Sequence, residues 1–306
     1  LRHPNIAMFA VGDDNIIRTE MLREVFRSIT DSFELVVPAP YQRLDTEGVK
    51  QFSELIVRTS IDYRSALATV SYFQKQWAEN IVINTATNLR TPPFIGIENS
   101  CKGIPAIIVG AGPSLSADIE WVKKLKNKTI IIASGSSIQS LLNHGIEPHL
   151  IVSMDPGEAN RRVFSNLNIR EIPFLYISTI KHTAIDPHAK YLTHAFYSVD
   201  HISYYLMGLT EEDAIFTSSS TVTGTAVQVA QRLGCSEIVF IGQDFSFPNN
   251  QLYADGIQHV RQETLSNRLK EASIQVENVE GGWNITNQDM LTLKEGLENI
   301  LDQLPY

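Results

Sequence analysis

The sequence predicts an α/β protein whose main domain is a doubly wound parallel sheet. Three observations carry this. From Gly103 onward, short continuous apolar runs alternate with stretches of helix length, the pattern of βαβ units. These runs show no polar alternation, so the strands are expected to be buried on both faces. The first run ends in Gly110-Ala111-Gly112-Pro113-Ser114-Leu115, a turn placed between a strand end and a helix start. Together they describe a Rossmann-like layout.

The first hundred residues have a different rhythm. Residues 6–11 and 33–37 read as short buried strands, with a helix over 19–28 between them. Residues 45–84 read as one long, weakly broken helical stretch. There apolar residues recur at helical spacing at Phe52, Leu55, Ile56, then Ala66, Leu67, Val70, then Phe73, Trp77, Ile81. Packing explains such stripes better than a cofactor does. Thr91-Pro92-Pro93 punctuates the chain. Residues 1–98 are therefore expected to be the end of an amino-terminal α/β domain plus a helical connector, and residues 99–306 the main domain.

Within the main domain, residues 106–109 form the first predicted strand, followed by a helix over 113–126 with Leu115, Ile119, Val122 and Leu125 on one face. A second strand over 129–133 leads to a short helix over 136–144, stopped by Gly145. Strands follow at 150–154 and 174–178. A helix over 225–233, closed by Gly234, precedes a fifth strand at 237–241.

Composition narrows the function classes. The chain has 306 residues, 43% hydrophobic and 19% charged, with a formal net charge of −9. That balance argues against a broad nucleic-acid surface, which needs clustered Lys and Arg, but leaves room for a local cationic pocket. Cys101 and Cys235 show no metal or redox spacing, and both read as reduced thiols. No run approaches the apolar length of a membrane span, and no signal peptide is visible. The chain begins at Leu1 and ends at Tyr306, so it reads as a fragment of a longer cytoplasmic protein.

Four motifs fall at predicted strand ends. In the first turn, Gly110 and Gly112 permit close backbone approach, Pro113 suits the first helical turn, and Ser114 adds a hydroxyl. This suits a phosphate at a helix N-terminus. Leu115 occupies the place of the third glycine of the dinucleotide fingerprint, and the next strand ends in Ala133-Ser134-Gly135 without a ribose-gripping carboxylate. No Gly-Lys-Ser/Thr follows, so neither NAD nor P-loop chemistry is indicated. The third strand ends in Ser153-Met154-Asp155-Pro156, where Asp155 either accepts hydrogen bonds from a nucleoside or caps a helix. The hydroxyl run Ser218–Thr225 either grips an anion or caps its helix. The fifth strand ends in Gly242-Gln243-Asp244-Phe245, and Tyr253 follows in a loop. His182, His188, His194 and His201 match no zinc spacing and read as ordinary surface or core residues. No metal site or Asp-x-Asp clamp is seen, and no cofactor is expected.

The combination Val109–Leu115, Ser153–Pro156, Thr221-Val222-Thr223-Gly224 and Gly242–Phe245 resembles the motility accessory factor (Maf) family of bacterial flagellin glycosyltransferases. These share a domain with archaeal 6-hydroxymethylpterin pyrophosphokinases, and the landmarks are similar to those of family 42 sialyltransferases. The resemblance covers about residues 99–287. It implies a sialyltransferase-like fold and a CMP-activated nonulosonic acid donor, pseudaminic or legionaminic. It also implies flagellin Ser/Thr hydroxyls as acceptor, and transfer in the cytoplasm before export. Gly110, Gly112, Pro113 and Ser114 would hold the donor phosphate. Ser134, Gly135 and Asp155 would line the nucleoside, and Thr221 and Thr223 would face the donor carboxylate, with Gln243 beside them. Tyr253 corresponds to a phosphate-stabilising tyrosine. The chain departs from the sialyltransferases at Ser246, where they place a second tyrosine, and at Gly282-Trp283-Asn284, where their basic histidine lies. Asp244 is then the first candidate base and His259 the second. A pterin pyrophosphokinase using ATP and Mg²⁺, and a non-catalytic sugar-nucleotide or flagellin-binding domain, are the competing functions.

Overall fold

The computed structural model describes Gly12 and residues 14–28, 33–210 and 213–304. The chain divides into two compact units, Leu1–Gln74 and Lys75–Tyr306. The described part of the first is helical: α1 (Asn15–Ser28), α2 (Ala39–Leu44) and the start of α3 (Thr46–Asn88). Phe26 is buried there against the rings of Phe33 and Tyr63. The strand expected at 6–11 lies outside the described residues. The strand expected at 33–37 does not form. Val36 is 74% exposed, and no described strand lies alongside to pair its backbone.

The second unit holds a seven-stranded, all-parallel sheet in the order β6-β5-β4-β3-β2-β1-β7. The strands are β1 (Ala106–Val109), β2 (Ile130–Ser134), β3 (Leu150–Ser153), β4 (Phe174–Ile177), β5 (Leu192–Tyr197), β6 (Ile215–Phe216) and β7 (Ile238–Ile241). Five of these match the predicted strands to within a residue or so. β5 and β6 were not anticipated, so the predicted fifth strand is the seventh.

Helices cover both faces. Alternate residues of β1 go to different layers. Ile107 and Val109 pack with α4 (Leu115–Leu125), α5 (Ser137–Asn143) and α6 (Glu158–Phe164). Ala106 and Ile108 pack with α8 (Val222–Arg232) and α10 (Gln288–Asp302). In chain order, α7 (His201–Met207) leads from β5 to β6. The first six strands step in one direction, and α8 then carries the chain back so that β7 pairs with β1. The carboxyl ends of β1 and β7 form the place where crossovers diverge to opposite faces, the usual ligand crevice of such sheets. After β7 come α9 (Gln262–Lys270) and the antiparallel hairpin β8 (Ile274–Glu277) and β9 (Trp283–Thr286).

Candidate functional site

At the β1–β7 crevice the two glycine turns close on one another. A Cβ on Gly110 would lie 2.4 Å from the Gly242 carbonyl oxygen and 2.1 Å from Gln243 Nε2; one on Gly112 would lie 2.1 Å from Asp244 Oδ2. Gly242 has φ +72°, and a Cβ there would meet the Gly110 carbonyl at 2.7 Å. The Gly112 N–H donates to the Gly242 carbonyl at 2.9 Å, and the Ser114 N–H to Asp244 Oδ2 at 2.9 Å. Two amides expected to receive a phosphate are therefore engaged by the chain itself. Asp244, the first candidate base, serves here as the anion at the positive end of α4. The half-buried Ser114 hydroxyl makes no capping bond. Pro113 is buried beneath it.

The hydroxyl run before α8 does two jobs. Thr221 caps the helix, its Oγ accepting from the Gly224 N–H at 3.0 Å. Thr223 donates to Gln243 Oε1 at 3.1 Å, while Gln243 Nε2 is buried without a partner among the described residues. The buried Ser134 Oγ at the end of β2 also lacks a partner among the described residues. Gly135 takes φ +52° and faces Val222 at the start of α8.

A loop over residues 253–259 lies against these helix starts. Ala254 N–H donates to the Ala111 carbonyl at 2.9 Å, and Asp255 N–H to Ser116 Oγ at 3.1 Å. Gln258 N–H donates to Gln139 Oε1 at 2.9 Å. Gly256, at φ +85°, lies so close to Asn143 that a Cβ would come within 2.8 Å of it. The loop carries Tyr253 and His259, whose rings are 5.5 Å apart. His259 is 8% exposed. Its Nε2 is 3.2 Å from Ser136 Oγ and its Nδ1 3.3 Å from Gln139 Oε1. Its carbonyl accepts from Arg162 Nε at 3.0 Å. Burial, then Arg162 and Arg268, lower the imidazole to about 4. Burial raises the Tyr253 phenol, against the pull of Arg268.

Asp155 lies just beyond β3, and its backbone is fixed from several sides. Its carbonyl accepts from Asn160 Nδ2 and from Lys181 N–H, both at 2.9 Å, and the adjacent Pro156 carbonyl accepts from Asn80 Nδ2 at 3.1 Å. The carboxylate is not a helix cap, because Gly157 holds that position for α6. It makes no hydrogen bond among the described residues. The residue is open to solvent, yet dense surrounding protein desolvates the carboxyl and raises it to about 6. The carboxyl thus stands at the carboxyl edge of the sheet, reached by solvent and crowded by protein. Its charge is felt by both Tyr253 and the buried Tyr197, whose hydroxyl lies 2.6 Å from Thr225 Oγ1.

Sequence reasoning missed the residues that hold this edge. Asn80, Asn84 and Asn88 stand four apart on α3. Asn84 Nδ2 donates to the Ser178 and Ile180 carbonyls, both at 2.9 Å, and Asn88 Oδ1 accepts from Tyr176 at 2.9 Å. Three asparagines at one-turn spacing beside an apolar stripe were the available signal. Gln139, Asn160 and Arg162 left no comparable trace. The four clustered histidines include His194, 3% exposed and 2.9 Å from Thr91 Oγ1, which burial lowers to about 4. Among the described residues, no group of three His, Cys, Asp or Glu is placed to hold a metal ion, and no helix is long and apolar enough to cross a membrane.

The fold has a solved counterpart. A Maf glycosyltransferase structure from Magnetospirillum magneticum AMB-1 shares the fold, with a TM-score of 0.63 and 19% identity over 96% of this chain. The chain spans 44% of that structure's length. An uncharacterized protein of Treponema pallidum (strain Nichols) is 26% identical over 141 residues, 44% of this chain and 66% of that protein. Residues 79–250 match the family described as 6-hydroxymethylpterin diphosphokinase MptE-like. With more than half of its length matched, the chain belongs to the MptE-like family.

Proposed function

We propose that residues 99–306 form the nucleotide-sugar-binding domain of a metal-independent glycosyltransferase. It moves a nonulosonic acid from a CMP-activated donor to Ser or Thr hydroxyls of flagellin in the cytoplasm. The fold shared with a Maf glycosyltransferase supports the reaction class. The observation that carries the assignment to this sheet edge is Asp155, a carboxylate whose backbone is fixed, which makes no hydrogen bond among the described residues, and whose charge is felt at Tyr253. An acceptor-only group so placed suits the hydroxyls or exocyclic amine of a nucleoside.

Transfer proceeds through an oxocarbenium-like transition state in which the donor phosphate leaves, so stabilising that phosphate does most of the work. Tyr253, half-buried, can donate to it, and Arg162 and Arg268 place positive charge near the loop. Asp244 Oδ2 already accepts from the Ser114 N–H, which leaves the role of base to the second candidate. His259 takes that role.

The test is a thermal-shift series with CMP, UMP, GMP and ATP, each with and without Mg²⁺. At about a hundredfold excess over Kd a ligand adds about 2.7 kcal/mol, a shift of several degrees. A metal-independent response confined to CMP is expected, and it should vanish in Asp155→Ala. Unchanged CMP affinity in that variant removes Asp155 from the site. The family's description favours a second function, diphosphate transfer from ATP to a hydroxymethylpterin. That reaction requires Mg²⁺, so an ATP response abolished by EDTA selects it.

A further inference from the structure

The hydrogen bonds of Gln139 settle the protonation of His259. The amide nitrogen of Gln139 donates to the Val163 carbonyl at 2.9 Å, and its oxygen accepts from the Gln258 N–H at 2.9 Å. Neither partner can reverse its role, so the amide has one orientation and its oxygen faces His259 Nδ1. An amide oxygen only accepts. Nδ1 therefore carries the imidazole proton, and Nε2 presents a bare lone pair. The group 3.2 Å from that lone pair is the hydroxyl of Ser136, which must donate to it. Ser136 is half-buried beside Gly135, at the turn between β2 and α5. Base, hydroxyl and orienting group thus stand in series, held by backbone contacts from α5, α6 and the 253–259 loop.

We infer that Ser136, His259 and Gln139 form a proton relay for the attacking hydroxyl. Ser136 touches the acceptor, His259 receives the proton through it, and Gln139 is the positioning residue. This rests on the glycosyl-transfer function proposed above. In the step, the acceptor oxygen bonds to the anomeric carbon while the bond from that carbon to the donor phosphate breaks, its electron pair leaving on phosphate. The acceptor proton passes to Ser136 Oγ as the serine proton passes to Nε2. Serine ends neutral, the imidazole ends as imidazolium, and water takes its proton after product leaves. Arg162 and Arg268 are the charges that act on the imidazole, with the Tyr253 ring tilted beside it. An anionic donor offsets those arginines, so the base strengthens when the substrate is bound.

Two measurements on the whole chain test this. With ¹⁵N-labelled histidine, long-range ¹H–¹⁵N correlation at pH 7 is expected to show His259 protonated at Nδ1 and bare at Nε2. Gln139→Leu should erase that preference. A parent protein protonated at Nε2 overturns the relay alone. With CMP-pseudaminic acid and purified flagellin, Ser136→Ala should lower kcat about tenfold or more at unchanged CMP affinity, and Ser136→Thr should recover activity. Gln139→Glu places a carboxylate behind Nδ1 and should move the acid limb of the kcat profile by about one pH unit upward. An unmoved profile, or full kcat in Ser136→Ala, rejects the relay. A parent chain that transfers nothing from this donor, with the expected tautomer in place, overturns the function on which the relay rests.

Discussion

Asp155 shows how a desolvated carboxylate weakens the fold that holds it. Its carboxyl is raised to about 6 by desolvation, above the unfolded value, so the folded chain binds that proton more tightly than the unfolded one. The protonated form is the better tolerated. Stability from this group is greatest below about pH 4 and is lost as pH rises through about 6. Asp155→Asn should therefore melt above the parent at pH 7.5, with the gap closing as pH falls through the 6-to-4 window, while CMP binding is lost. Melting curves across that range decide it; a gap independent of pH refutes the linkage. Asp155 was legible as a strand-end carboxylate, but its freedom was not, because only the position of Gly157 as the cap of α6 rules out the capping role. Asp244 went the other way. Its type and place suggested a base, and only the 2.9 Å contact to the Ser114 N–H shows it engaged. The glycines were legible as a close approach, though to the other turn as well as to any ligand. Gly110→Ala sets a Cβ 2.4 Å from a carbonyl oxygen that cannot swing away. A loss of about 1–3 kcal/mol in urea unfolding, with m unchanged, is expected.

Strands made only of apolar residues announced themselves; strands carrying polar residues did not. β5 contains Thr193 and His194, both buried, which break the hydrophobic run. Their partners, the Pro92 carbonyl at 3.0 Å and Thr91 Oγ1 at 2.9 Å, lie about a hundred residues away. No local pattern encodes a contact of that kind. β6 has two residues and is below the length at which alternation can be read. The long helix α3 was legible as a helix, since its apolar spacing runs for many turns, but the asparagine ladder within it was not. Removing the middle rung tests the ladder. Asn84→Ala leaves the Ser178 and Ile180 carbonyls without their donor. A cost of about 2–4 kcal/mol follows from two buried acceptors left unpaired. Faster amide exchange in the loop after β4 should accompany it, and unaltered exchange there shows that the ladder does not hold that loop.

The whole chain is acidic, at −9, while Arg162 and Arg268 set positive charge against the Asp155 carboxylate around the Tyr253–His259 loop. Long-range charge thus disfavours polyanions, and the local field favours one small anion. Salt should weaken CMP binding only mildly, because a buried pair is screened less than a surface one. A steep salt dependence in calorimetric titrations argues against such a pocket. The sheet order, with β7 returning to β1, brings the carboxyl ends of β1, β2, β3 and β7 to one edge.

The ladder on α3 also bears on how such a scaffold changes over time. Asn80 and Asn84 donate to the main chain at positions 156 and 178–180, and every amino acid presents the same carbonyl there. The side chains at those positions can be exchanged without releasing the helix. Substrate preference can therefore drift at the strand ends while the frame beneath them keeps its grip, a freedom that a fold serving more than one chemistry requires.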